Sequence, residues 1–245
     1  MTSADRAKVL HLGKRAPLVI LLAFTTLGGS MLMLDTGQLP RVLNSLLVMD
    51  LAQSDPWFID WRLAALRNDP ELCKRVLVPP QIKAQPIPDN PLHNGCGWIN
   101  AVRMFEAGGA RSGFDKITCE LAAALALWLE HDVQKLAVEL LGGRVAVVRS
   151  LGAYACRNIL GSPLWKYRRS EHATANALDI SGFTLGDGRN ISVRLNWHGD
   201  SPEARFLKIA HMRACRYFRV AIGPDYNDAH HDHFHLDRGP FTLCK

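Results

Sequence analysis

Residues 16–34 read APLVILLAFTTLGGSMLML, a run without a single charged side chain, and they follow a basic stretch in which Arg6, Lys8, Lys14 and Arg15 stand against Asp5. A run of that length just crosses the hydrocarbon core of a bilayer. Basic residues ahead of it keep residues 1–15 in the cytoplasm and send everything that follows to the other side. The expectation is an uncleaved anchor; the alternative is a cleaved signal sequence, for which Gly28, Gly29 and Ser30 offer small residues although no clear A-x-A site follows. Export constrains the fold through the cysteines. There are six, Cys73, Cys96, Cys119, Cys156, Cys215 and Cys244, and an even number in an oxidising compartment argues for three disulfides. None forms a C-x-x-C pair, which argues against a zinc ribbon. Joining sequence neighbours gives Cys73–Cys96, Cys119–Cys156 and Cys215–Cys244 as the expected pairing.

The chain has 245 residues, 48% of them hydrophobic and 21% charged, enough for one domain with a sizeable core. Of the formal charge of +6, half comes from residues 1–15, and no Lys/Arg run is interleaved with aromatics, so nucleic-acid binding has no support. Residues 35–95 read as a connector. It holds a short amphipathic helix over 41–52 and a helix over 56–76 in which Pro56 suits the first turn and Trp57, Trp61, Leu63, Leu66 and Leu72 recur at helical spacing as core residues. A Pro-rich extended loop over 78–95 follows. From Cys96 to the end the pattern predicts a strand over 98–105, a turn over 108–113, and a helix over 118–137 capped by Thr118. It then predicts strands over 144–150, 176–180 and 191–195, a helix over 201–217, and strands over 218–222 and 233–237. Helices and short strands mix without a βαβ repeat, which argues for an α+β fold.

Two clusters carry chemistry. His172 and Asp179 are seven residues apart, and imidazole and carboxylate are both zinc ligands. Residues 230–237 read HHDHFHLD. On a strand, positions 231, 233, 235 and 237 share one face, so His233 and His235 can enter one cavity with Phe234 and Leu236 packed behind. Such crowding of histidines is costly unless a ligand uses it. No G-x-S-x-G nucleophile elbow occurs, and Gly186-Asp187-Gly188 lacks the helix and Lys-Ser/Thr of a phosphate loop.

Ser170-x-His172-x-x-Ala175-x-Ala177-x-Asp179 resembles the S-x-H-x-x-G-x-A-x-D motif of the zinc D-Ala-D-Ala carboxypeptidases and related LAS metallopeptidases, and Asp232-His233-Phe234-His235 resembles their D-H-x-H motif. More closely, GAYACR (152–157), SEHATANALDISGF (170–183), GPDYNDAHHDHFHLD (223–237) and the terminal Cys244 resemble the bacterial extensin-like C-terminal domain family. The resemblance implies an α+β, D-Ala-D-Ala-carboxypeptidase/hedgehog-like domain over 96–245, with a small antiparallel sheet and flanking helices. It implies Zn2+ held by His172, Asp179 and His235, with a fourth position left for water. Asp232 matches the family's general base and His233 its oxyanion stabiliser, although strand alternation turns His233 toward the metal and leaves the choice of base open. Arg157 and Ser170 are the substrate-binding candidates, the arginine because a carboxylate or carbonyl needs a charged partner; His231 and Asp237 stand outside the ligand set. The implied activity is peptide or amide hydrolysis in peptidoglycan, by a single-pass inner-membrane protein with its C-terminal domain in the periplasm. The alternative is a zinc-containing domain that grips a cell-wall polymer without cleaving it. Two departures support that alternative: Ala175 stands where the peptidases have Gly, and GAYACR places two residues between the aromatic and the Arg, where they often have S-G-Y-R.

Overall fold

The computed structural model describes Gly29, residues 49–54 and residues 58–245. The expected anchor lies outside the described residues except for Gly29, as does the helix expected over 41–52 up to residue 48; its last four positions are irregular chain and turn. Among the described residues no helix is long and apolar enough to cross a membrane.

The single helix expected over 56–76 is two helices, α1 (Ile59–Ala65) and α2 (Pro70–Val76). Asp69 causes the break. Its backbone is extended, its carboxylate accepts the N–H groups of Glu71 and Leu72 at 3.1 and 2.9 Å, and Pro70 opens the new helix. Leu63, Leu66 and Leu72 are fully buried and belong to the same core as the rest of the molecule. Trp61 is half-buried, whereas Trp57 lies outside the described residues.

The strands β1 (Ile82–Pro86), β2 (Asn90–His93), β3 (Cys96–Trp98), β4 (Ala101–Ala107) and β5 (Ala110–Thr118) come next. The turn expected over 108–113 is confined to Gly108-Gly109, and the chain returns at once as β5, whose Ala110, Ser112 and Phe114 alternate inward. Thr118 caps α3 (Cys119–Trp128), accepting the Leu121 N–H at 3.3 Å, and all ten residues of α3 are buried. A π-helical turn (Leu129–Val133) carries it into α4 (Gln134–Leu141). Then follow β6 (Val145–Gly152), a 3-10 turn (Glu171–Thr174), β7 (Ala177–Leu185) and β8 (Asn190–Ser192). The strand expected to 195 stops at Ser192, whose hydroxyl accepts the Leu195 N–H and starts the short helix α5 (Val193–Asn196). The chain ends with α6 (Pro202–Ala214), β9 (Val220–Ile222), a 3-10 turn (Asp228–His230), β10 (Phe234–Asp237) and β11 (Leu243–Cys244).

The class is α+β, but the sheet is not small. Nine strands form it in the order β1-β4-β5-β6-β7-β10-β9-β11, with β8 on β7; β5–β6 and β9–β11 pair in parallel and the other neighbours antiparallel. It is larger than expected because β1, β5 and β11 join it from segments read as loop, turn and tail. One face is covered by helices: Trp128 of α3 donates to the Ala210 carbonyl of α6 at 3.0 Å and meets the rings of Phe183 and Phe218. Phe234 packs on Trp197 and His211 of that layer.

Three disulfides are present, with two pairings corrected. Cys73–Cys119 joins α2 to the start of α3, Cys96–Cys156 joins β3 to the segment after β6, and Cys215–Cys244 joins the end of α6 to β11 as expected. Cys73 and Cys96 are near in sequence but separated by the excursion of β1 and β2. The helix that Cys119 begins packs directly against α1 and α2, which brings Cys73 within a Cα distance of 6.0 Å.

Candidate metal centre

The sheet builds most of the site. β7 and β10 are antiparallel neighbours, and Asp179 and His235 are direct cross-strand partners. Residues opposite each other on adjacent strands project from the same face. With Leu178, Ile180, Phe234 and Leu236 turned to the core, Asp179 and His235 emerge on the opposite face. His172 arrives from the 3-10 turn. Ser170 starts that turn, its hydroxyl accepting the His172 N–H at 3.4 Å, and Ala175 ends it with φ 55° and ψ 23°. This is the left-handed backbone that favours Gly, so the residue that differs from the peptidase motif sits where the difference is felt. Its methyl is fully buried.

Hydrogen bonds set both rings. His172 Nδ1–H donates to the Ala153 carbonyl at 2.8 Å, and His235 Nε2–H to Asp237 Oδ2 at 3.0 Å. That leaves His172 Nε2 and His235 Nδ1 pointing inward. They lie 3.1 Å apart, and each is next to Asp179 Oδ1, at 3.2 and 3.1 Å respectively. Four ligands at tetrahedral zinc distances are separated by about 3.3 Å. The three donors, on residues forming a possible metal-holding group, therefore fit a small divalent ion. Asp237 supplies the outer hydrogen bond that orients a ligating imidazole, and its other oxygen accepts the Gly239 N–H at 2.8 Å.

Three converging acceptors require a positive charge among them. With no cation, a proton supplies it: burial of His235 opposes protonation, but the hydrogen bonds and charges of Asp179 and Asp237 outweigh burial and push its pKa up to about 9. Burial likewise works against the Asp179 carboxylate, and His172 and His235 overcome it and hold this group far below the usual carboxylate range.

His233 Nε2 is 3.6 Å from Asp179 Oδ1, and its Nδ1 is 2.8 Å from Asp232 Oδ1. Asp232 is partly exposed and faces the far nitrogen of His233; that hydrogen bond holds its carboxyl below the ordinary value. Of the two residues proposed for the base, His233 is thus the one beside the triad. Arg157 Nη2 lies 3.9 Å from Asp179 Oδ2. Its neighbour Cys156 is tied to Cys96, and the arginine reaches the site. Ser170 borders the cleft, but its hydroxyl is engaged at the 3-10 turn.

His230 was not singled out from the sequence. Its Nδ1–H donates to Asn227 Oδ1 at 2.7 Å, and its ring lies 5.3 Å from His233 and 5.7 Å from His235. Burial, then the neighbouring charges of His235 and His233, push its pKa down to about 4. His231 points outward, 60% exposed at its side chain. Strand alternation nominates 231 and passes over 230, but the chain is a 3-10 turn through 228–230, and a period near three puts 230 with 233. A cleft of about 410 Å³ opens on His230, His233 and His235.

The model of the extensin-like protein C-terminus matches residues 71–245, more than half of the chain. The chain belongs to the extensin-like C-terminal family. The triad, the cleft and all six cysteines lie within the matched extensin-like segment, and α1 with its buried Leu63 lies just ahead of it. Comparison with curated proteins and with solved structures gave no match.

Proposed function

We propose that this extensin-like protein is a membrane-anchored zinc hydrolase of the peptidase or amidase type, acting on peptidoglycan from the periplasmic side. The observation that carries the reading is the triangle of His172 Nε2, Asp179 Oδ1 and His235 Nδ1, three atoms able to bind a metal, at 3.1–3.2 Å from one another. Three disulfides support export to an oxidising compartment, and the uncharged run 16–34 behind a basic N-terminus supports an anchor there. The resemblance to the zinc D-Ala-D-Ala carboxypeptidases supports the substrate and the fold type.

Bound zinc would supply Lewis acidity and an ionisable water in the fourth position. Asp232 keeps the Nδ1–H of His233 in place, so its Nε2 presents a lone pair toward the triad and can take a proton there and later return it. Arg157 adds positive charge beside Asp179, where negative charge builds up on a reacting carbonyl.

The test uses the full chain purified without chelator. About one zinc per chain is expected, with release of fragments from purified sacculi that His172→Ala abolishes. Lack of metal, or equal hydrolysis by His172→Ala, would sink the reading. The second reading, a zinc-holding wall-binding domain, draws on the disulfide-tied loop around Arg157 and the left-handed Ala175. Stoichiometric zinc and sacculus pull-down without released fragments would select it.

A further inference from the structure

The cleft that opens on His233 and His235 is lined by residues of the segments 157–171, 220–230 and 239–243. Three guanidinium groups line it. Arg169 is engaged within the protein: its Nε donates to the Asn94 carbonyl at 3.0 Å and its Nη1 to Asn158 Oδ1 at 3.1 Å. Its stem fills the space beside Gly95, where an added methyl would stand 2.9 Å from Cγ. Arg157 is turned to Asp179 at 3.9 Å.

Arg168 differs from both. Its guanidinium carbon lies 4.4 Å from the centre of the Phe241 ring and 5.7 Å from that of Trp165, so two aromatic rings, themselves 5.6 Å apart, back it. No carboxylate of the described residues lies within ion-pair distance of it. Of the two acidic side chains that line the cleft, Asp237 is held by His235 and Gly239, and Glu171 accepts from Asn176 at 3.4 Å and feels the Arg168 charge without forming an ion pair with it. Contact with a ring fixes the orientation of a guanidinium and lowers the entropy lost when it meets a planar anion, leaving the N–H fork for two parallel bonds.

We infer that Arg168 is the anion-binding residue of the cleft and that the substrate carries a carboxylate there, on the aromatic-backed wall and apart from the three metal-ligand side chains. The inference rests on the reading of this cleft as a cell-wall substrate site. It narrows that reading to peptide carrying a free carboxylate.

The test offers muropeptides, cut from purified sacculi by a glycosidase, to the zinc-loaded full chain before and after carbodiimide amidation of their carboxylates, with binding followed by calorimetry. Amidation is expected to weaken binding to the native protein roughly tenfold, the size of one charge-assisted contact at a partly exposed site. Arg168→Gln is expected to bind the untreated muropeptides as weakly as the amidated ones, and Arg168→Lys to recover part of the difference. Arg168→Gln should keep its zinc and its melting temperature. If it still prefers the untreated form as the native protein does, or if the native protein shows no preference, the assignment of Arg168 fails while the cell-wall reading stands. If neither form binds the native protein and sacculi are left intact, both fail.

Discussion

His235 is bound on both sides by carboxylates, Asp179 and Asp237, and this sets how the site responds to pH. In the metal-free protein its pKa is raised to about 9, against about 6.5 in an unfolded chain. A group whose pKa rises on folding stabilises the folded state fully below the unfolded value, and that contribution is lost as pH climbs through the folded one. The metal-free protein is therefore expected to lose melting temperature between about pH 6.5 and 9, with Asp237→Asn flattening the slope; a flat profile in the unmutated protein would remove the proton from His235. On the proposed zinc reading, the ion would displace the same proton. Calorimetry near neutral pH in buffers of different ionisation heat should count about one proton released per ion. Ala175 shows what single positions conceal. Its identity is plain in the chain, but that it stands at positive φ follows only from the 3-10 turn reversing into β7.

Three elements that read as independent in the sequence share one buried ionic network. Glu120 in the first turn of α3 has no exposure and accepts from Arg67 at 2.7 and 3.0 Å and from Arg238 at 2.9 Å. Arg238, directly after β10, also donates to Asp60 of α1 and to the Tyr217 carbonyl. Removing one partner leaves charge uncompensated in the interior, so Glu120→Ala is expected to cost about 3–5 kcal/mol in urea unfolding. A loss under about 1 kcal/mol would mean that Asp60 alone satisfies Arg238. Because Arg238 adjoins Asp237, the proposed zinc reading expects the same variant to weaken metal binding. The helix α3 was legible from its Thr118 cap and apolar run. The break at Asp69 was missed because Leu63, Leu66 and Leu72 keep nearly helical spacing across it, and the cap at Asp69 overrides that spacing.

Across the whole molecule, the disulfides divide the labour. Cys73–Cys119 holds α2 against α3 in the core, whereas Cys96–Cys156 pins the cleft wall that carries Arg157. The latter spans 60 residues, and loop-closure entropy puts its removal at about 4 kcal/mol. A Cys96→Ser/Cys156→Ser double variant is expected to lose stability of that order and to loosen the cleft wall; on the proposed zinc reading it still binds the metal, because Asp179 and His235 are held by the β7–β10 pairing. Loss of zinc in that variant would show that the wall and the triad form one unit.

The sequence by itself determined which His and Asp residues are candidates for the site and their order along the chain, the number of disulfides and the mixture of helix and strand, because these depend on residue identity and short-range periodicity. Only the tertiary structure decided that Asp179 and His235 are cross-strand partners, that His233 and not Asp232 stands next to Asp179, that His230 joins them, and which cysteines meet. Each of these is a contact across many residues of chain. Strand order and backbone handedness fix such contacts, and local patterning does not encode either.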